Sequence, residues 1–465
     1  MSGKLKVVSP VDQGVYLERD FNTDREIEAT LGRAVDAQRE WKNTAIAERV
    51  AIINRFVEAF KKLSPTISEQ LAWQMGRPVI HGPNEVNGTI ERAEGMASLA
   101  ESSLQDIRLS EKRDFNRYIK REPLGVVFVI PAWNYPYLIA VNSIVPGLLA
   151  GNAIVLKHSA QTPLAAEMFA EAFKTAGLPE HLFQYLHLTH QDTEQVIRDS
   201  RIQFVAFTGS VEGGHQIQKV ASGRFIGVGL ELGGKDPAYV RKDANPEFAV
   251  ENLVDGAFYN TGQSCCSIER IYVHEAVFDR FVEGFVDLTR QYKLGNPLDR
   301  ETNLGPVAKA SIINTVHAHI DDALKKGART LIDPQWFPNT KLGENYLAPQ
   351  VLVDVNHRMD IMIDESFGPV VGIMKVGTDA EAIELMNDSP YGLTASVWTE
   401  DEEAAVSISD QIATGTCFMN RCDYLDPCLA WTGVKDTGRG CTLSRVGFEQ
   451  LTRPKSYHLR VKTKE

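Results

Sequence analysis

The sequence predicts an α/β protein: a doubly wound parallel sheet, a second α/β unit after it, and a small strand-based arm. Three observations lead there. From residue 125 onward, short and almost wholly apolar runs (125–130, 153–156, 182–188 and 204–207) alternate with helical segments, as parallel strands buried on both faces do. A second strand–helix alternation begins at residue 270 and continues past residue 400. Between the first helices and the first apolar run lies a weakly alternating polar stretch, residues 115–123, too hydrophilic for a core strand and suited to an edge.

Taken in order, residues 8–21 mix β-formers with turn residues, and a long helical period starts at Thr23-Asp24. Ile27, Leu31, Ala34 and Val35, then Ile46, Val50, Ile53, Phe56, Val57 and Phe60, recur at three- and four-residue spacing, so the first hundred residues are mainly amphipathic helices. Residues 162–177 read as a helix with Thr162 as N-cap, Pro163 in its first turn and Gly177 as its stop. Residues 192–200 and 248–259 continue the helical pattern. In the second unit, residues 270–273 form a strand, 276–292 a helix, 295–302 a turn-rich connection and 308–326 a helix ending at Gly327. Strand and helix signals recur at 350–355, 370–376, 380–386, 395–399 and 402–412.

Composition narrows the function. A chain of 465 residues exceeds one ordinary core, so two or three domains are expected. The formal net charge of −12 repels phosphate backbones and anionic membranes, setting aside nucleic-acid and membrane-surface partners. The apolar stretch 137–156 is interrupted by Asn142, Pro146, Gly147, Gly151 and Asn152, and reads as a buried helix, a turn and a strand rather than a membrane span. Six cysteines make no disulfide framework in so long a chain, and the first residues lack a signal-peptide pattern, so reduced thiols in the cytoplasm are expected. Cys417, Cys422, Cys428 and Cys441 lack the short clips of structural zinc sites, and no metal is expected.

Open parallel sheets bind ligands beyond the carboxyl ends of their strands. Those positions here carry Pro131-Ala132-Trp133-Asn134-Tyr135-Pro136, Lys157-His158-Ser159-Ala160, Thr208-Gly209-Ser210 and Glu231-Leu232-Gly233-Gly234-Lys235. Just after the helix at 248–259 comes an adjacent thiol pair, Cys265 and Cys266, among small polar residues, where a thiol can be reached by a substrate. An arbitrary Cys-Cys pair is more often two buried thiols acting as small hydrophobes, and the residues alone do not choose between the two.

Taken together, these motifs with Gly262-Gln263-Ser264-Cys265, Glu365-Ser366-Phe367-Gly368-Pro369 and Gly433-Val434-Lys435 resemble the aldehyde dehydrogenase superfamily over nearly the whole chain. The resemblance implies a Rossmann-like cofactor domain (residues 1–105 and 124–233), a catalytic domain (234–440), and oligomerisation strands (106–123 and 452–465). It implies NAD(P)-dependent oxidation of an aldehyde to the acid, with Cys265 as nucleophile, Glu231 as the base that activates the deacylating water, and Asn134 in the oxyanion hole. A thiol suits such chemistry because it adds to a carbonyl and then leaves a thioester that water can cleave. Homodimers or homotetramers are expected on the same ground.

No Gly-x-Gly-x-x-Gly follows any strand. The resemblance implies instead a cofactor cradle of Trp133, Lys157, Ser159, Ala160, Gly209, Ser210, Leu232, Gly233, Glu365 and Phe367, with Ser210 toward the pyrophosphate, Lys157 at the adenine-side ribose and Glu365 at the nicotinamide-side ribose. Many NAD-preferring members carry Glu where this chain has Ala160. Its absence, with Lys157, Ser159 and His158 nearby, predicts NADP tolerance or preference. Tyr135, Ile139, Ser264, Cys266, Tyr424, Leu425 and Trp431 are implied as the substrate pocket, an aromatic and apolar set that points to a neutral aliphatic or aromatic aldehyde. A frequent Pro-Phe-Gly-Gly is here Ala430-Trp431-Thr432-Gly433, which leaves the pocket near Trp431 open. A CoA-acylating dehydrogenase, a catalytically idle protein with the same fold and a cysteine hydrolase are the rival readings.

Overall fold

The computed structural model describes residues 3–463. Four sheets organise them. The first has strand order Gly438–Arg439, Gly227–Glu231, Ile202–Thr208, Val126–Ile130, Ala153–Leu156, Phe183–Tyr185; all neighbours run parallel except the short first strand. Every residue of Val126–Ile130 and of Ala153–Leu156 is buried, as their uninterrupted apolar composition requires. Helices from the first hundred residues cover this sheet and join its core through Leu31, Ile53, Phe56, Phe60 and Met96. The first of them, Asp24–Trp41, starts on a capping box in which Thr23 and Glu26 satisfy each other's backbone.

The second sheet runs Arg329–Thr330, Gln350–Val353, Val370–Val376, Ile268–His274, Asp236–Val240, Thr394–Trp398, Thr416–Met419, and is parallel apart from its first strand. Two apolar clusters flank it, one around Leu253, Phe258 and Phe285 and the other around Val316, Leu352 and Met362. A third sheet pairs Thr452–Arg460, Phe115–Pro123 and Ile107–Arg108 antiparallel, with Tyr118 stacked on Tyr457 at 4.6 Å between centroids. The hairpin Lys4–Val8 with Val15–Asp20 is the fourth.

One expected cap is different. The helix expected from Thr162 spans Leu164–Thr175 with Pro163 as its N-cap residue, and no side chain caps it. Thr162 is unavailable because its hydroxyl bonds His158 Nδ1 at 3.2 Å. Across the apolar stretch 137–156 lie helix Pro136–Leu149 and strand Ala153–Leu156, and no helix among the described residues is long and apolar enough to cross a membrane.

Candidate active site

The carboxyl end of the first sheet faces the segment that enters strand Ile268–His274 of the second, and a cavity of about 470 Å³ opens there. Cys265, Cys266 and Glu231 all line it. The turn before the thiols is tightly specified. Asn260, Thr261 and Gly262 all take left-handed backbone angles (φ 53°, 60° and 70°), a conformation that disfavours β-branched Thr. Only glycine fits at 262, because a Cβ would stand 2.3 Å from the carbonyl oxygen of Gly368. Gln263 is held at both ends: its amide donates to Asn260 O at 2.9 Å, and its Oε1 accepts from Ala308 N at 2.8 Å. Gly234 allows the opposite wall to close, since a Cβ there would lie 2.1 Å from Cys265 O.

The two thiols differ. Cys266 is buried and donates to Asp423 Oδ1 at 2.8 Å; hydrogen bonding with Cys265 and burial push its thiol up. Cys265 is half-buried and reaches the cavity. Glu231 ends its strand with both oxygens engaged, Oε1 accepting from Thr442 Oγ1 at 2.6 Å and Oε2 from Thr208 Oγ1 at 3.1 Å. Burial raises its pKa, while the two hydroxyls and the charge of Arg92 pull it back. Asn134 is buried and turns its side-chain amide to Gln263 O at 3.2 Å, beside the nucleophile segment.

Asn134 owes its position to residues the motifs do not contain. Buried Arg77 pairs with buried Glu85 and donates to Asn134 O at 2.6 Å and to Asn260 Oδ1 at 3.1 Å. Glu85 Oε1 in turn accepts from Tyr137 N at 2.9 Å and Leu138 N at 3.1 Å, supplying the acceptor that helix Pro136–Leu149 lacks at its start. One ion pair thus fixes Asn134, Asn260 and the helix after them.

All seven residues of the expected pocket face the cavity. The aromatic and apolar character expected of it is incomplete, however. Helix Gly82–Leu104 adds Asn87, Glu91 and Arg92, and Asn142 and Asp423 add more polar groups. Burial drives Asp423 up to about 7. Tyr424 donates to Glu91 Oε1 at 2.6 Å, and Trp431 pairs its backbone with Thr442, the residue that holds Glu231.

Several of the cofactor candidates are linked by contacts with one another and with Lys309. The ring of Trp133 lies between Phe367 (5.7 Å between centroids) and Lys309 Nζ (5.0 Å from its centroid). Lys157 is drawn down to about 8 by burial, with the charge of Lys309 adding to it. Neither lysine is in a salt bridge among the described residues. Two ammonium groups that repel each other without a partner carboxylate leave positive charge available to an anionic ligand. Ser210 caps helix Val211–Ala221, accepting from Gly213 N at 3.2 Å, and its hydroxyl proton remains free to be donated. Gly209 is required by its own strand as much as by any ligand, since the Phe207 ring fills the Cβ space at 2.6 Å. Leu232 and Gly233 are tied to Thr437, by Leu232 N to its carbonyl (2.9 Å) and by its hydroxyl to Gly233 O (2.8 Å). Glu365 accepts from Gly234 N at 3.0 Å, and burial first, then the charge of Glu269, lifts it to about 8. Phe367 takes φ 53°, held by its N–H to Glu269 Oε1 at 3.0 Å.

His158 drops out of the set near the adenine-side ribose. It is 3% exposed, bonded through Nε2 to Pro136 O at 3.1 Å, and lowered by burial to about 4, so it is a neutral structural ring. Ser159 Oγ accepts from Gln161 N at 3.3 Å, and Ala160 is exposed. Sequence reading missed Arg77, Glu85, Arg92, Lys309 and Asp423. Asp423 and Tyr424 share one segment, so Asp423 alone had a neighbour already marked.

Comparison with known proteins agrees with the geometry. Residues 1–457 match the aldehyde dehydrogenase family. An aldehyde dehydrogenase of Paenarthrobacter nicotinovorans is 34% identical over 94% of this chain and 95% of its own length. A succinate semialdehyde dehydrogenase [NAD(P)+] of Escherichia coli is 33% identical over 92% of this chain and 91% of its own. The crystal structure of a succinic semialdehyde dehydrogenase from Streptococcus pyogenes with NADP+ superposes with a TM-score of 0.91 at 29% identity, covering 98% of this chain and 99% of the other. With the motifs, the sheet order and these likenesses in agreement, the chain belongs to the aldehyde dehydrogenase family.

Proposed function

We propose that the protein oxidises an aldehyde to the carboxylic acid, using NAD or NADP, with Cys265 as nucleophile and Glu231 as the base for deacylation. The observation that carries this reading is one cavity lined by a half-buried thiol and a half-buried carboxylate of raised pKa. Cys265 adds to the aldehyde carbon. The side-chain amide of Asn134 and the backbone N–H of Cys265 donate to the oxygen that becomes charged; losing one such donor typically costs about a hundredfold or more in rate. Bound by Trp133, Lys157 and Glu365, the nicotinamide cofactor supplies a hydride acceptor. Glu231 then takes a proton from water as that water attacks the thioester on Cys265, and the acid leaves. Lys157 holds the adenine-side ribose, Ser210 reaches the pyrophosphate, and Glu365 holds the nicotinamide-side ribose beside Phe367.

Residues 1–105 and 124–233 serve in this reading as the cofactor domain and 234–440 as the catalytic domain, with 106–123 and 452–465 pairing subunits of a homo-oligomer. The test is reduction of cofactor with an aldehyde panel. Cys265→Ala is expected to abolish it and Cys266→Ala to retain it, because the Cys266 thiol is committed to Asp423. The reverse result refutes the assignment, and acyl-CoA formation in place of acid refutes hydrolysis.

A further inference from the structure

The wall of the cavity that Cys265 lines contains polar groups whose hydrogen-bonding capacity the protein leaves unspent. Arg92 is 8% exposed and lines the cavity. Its Nη1 donates to Leu138 O at 2.6 Å and Asn142 Oδ1 at 3.3 Å; among the described residues it is in no salt bridge, and its Nε and Nη2 donate to no protein group. A buried guanidinium with idle donors is costly unless a ligand takes them up. Asp423 accepts at Oδ1 from Cys266 and is also hydrogen-bonded by the Ser264 side chain, which leaves part of a carboxylate's capacity of about four bonds unspent. Arg92 and Asp423 act on each other's charge yet form no ion pair. In the same wall the Tyr135 hydroxyl is buried with no partner at all.

Three ligand chemistries can be weighed against this arrangement. A carboxylate only accepts: it satisfies Arg92 but meets Asp423, Glu231, Glu91 and Asp255 around the same cavity. An ammonium only donates: it suits the acids but meets Arg92. A hydroxyl does both, accepting from the guanidinium and donating to the carboxylate, without adding charge. We propose that Arg92 and Asp423, with Tyr135, read a hydroxyl group on the carbon chain of the aldehyde, so that the substrates are hydroxyaldehydes. The proposal rests on the aldehyde-oxidation reading above and adds the substrate class.

Its test compares kcat/KM for lactaldehyde, 3-hydroxypropanal and glyceraldehyde with that for propanal, alongside succinic semialdehyde and 4-aminobutanal as charged arms, each corrected for hydration. Sites built around a substrate hydroxyl reject the analogue lacking it strongly. The wild-type enzyme is expected to favour at least one hydroxyaldehyde over propanal by about tenfold or more, and both Arg92→Met and Asp423→Asn to bring that ratio to about one. The charge of Arg92 also acts on Cys265 and Glu231, so absolute rates fall for every aldehyde in Arg92→Met; the ratio is the readout that a merely structural loss leaves unchanged. The wild-type ratio needs no variant, so misfolding of either one does not remove the test. A wild-type ratio near one, or a ratio unmoved by both variants, overturns the proposal. Succinic semialdehyde as the best substrate, lost in Arg92→Met, makes the wall a carboxylate site instead. 4-Aminobutanal as the best, lost in Asp423→Asn, makes it a cation site. Oxidation of no aldehyde at all refutes the parent reading, which is a different result from equal oxidation of propanal and its hydroxylated analogues.

Discussion

Thr442→Val isolates what holds the deacylating base. Its hydroxyl donates to Glu231 Oε1 at 2.6 Å, and that bond lowers the Glu231 pKa against the burial that raises it. A hydrogen bond to a charged group contributes about 1.5–3 kcal/mol, and one pKa unit corresponds to about 1.4 kcal/mol. Valine keeps the shape and removes the donor, so the Glu231 pKa should rise by about one to two units. The sign follows from the chemistry: only the ionised carboxylate accepts a proton from water, so activity is present above the pKa and lost below it. The acid limb of deacylation should therefore move to higher pH by that amount, while Thr442→Ser stays near wild type. The assay is decay of the acyl-enzyme after a single turnover across pH, with the burst of reduced cofactor recorded separately as the acylation control. An acid limb that does not move refutes the role of Thr442 in setting the base. A burst that shifts as much as the decay refutes the division of labour between Cys265 and Glu231.

Glu85→Ala should strand the Arg77 charge, whose side chain is 1% exposed, at a cost of about 3–5 kcal/mol; a denaturant midpoint within error of wild type counts against it, and Arg77→Met/Glu85→Gln together should recover most of the loss. Lys157, drawn down to about 8, loses its charge as pH rises through that value, so KM for the cofactor should climb above about pH 8 in the wild type. In Lys157→Met that climb should be absent, and a flat wild-type profile excludes the Lys157 charge from cofactor binding.

Strands buried on both faces were legible because their composition admits no other use: every residue of Val126–Ile130 and Ala153–Leu156 is apolar, and all are inside. Cys265, Glu231 and Asn134 could be singled out as candidates because each sits in a short motif next to a strand end. Arg92 and Glu85 were not, because they lie on helix Gly82–Leu104, where charged residues at helical spacing look the same whether they face water or a tunnel. Cys265 and Arg92 are brought together only by the packing of that helix on Pro136–Leu149, a contact without a local signal. His158 misled for the opposite reason: its place beside Lys157 is right for a ligand, but its ring is turned inward to Pro136 O and Thr162. The left-handed turn at Asn260–Gly262 shows the same limit, since Thr261 is a residue type that backbone sterics argue against there.

Strand Gly227–Glu231, which ends in the proposed base, has Gly438–Arg439 as its outer neighbour; Thr437 holds Gly233 just past the strand and Thr442 holds the Glu231 carboxylate itself. Neither proposed reacting group is seated early: the turn before Cys265 waits for Ala308 and Gly368, its neighbour Cys266 for Asp423, and Glu231 for Thr442. During synthesis, a ribosome-bound chain therefore carries both side chains long before either has the neighbours that hold it. In the proposed mechanism the seat of the base is the last part of the site to be completed, and Thr442→Val tests that seat while leaving Leu443, Phe448 and Leu451 in the core.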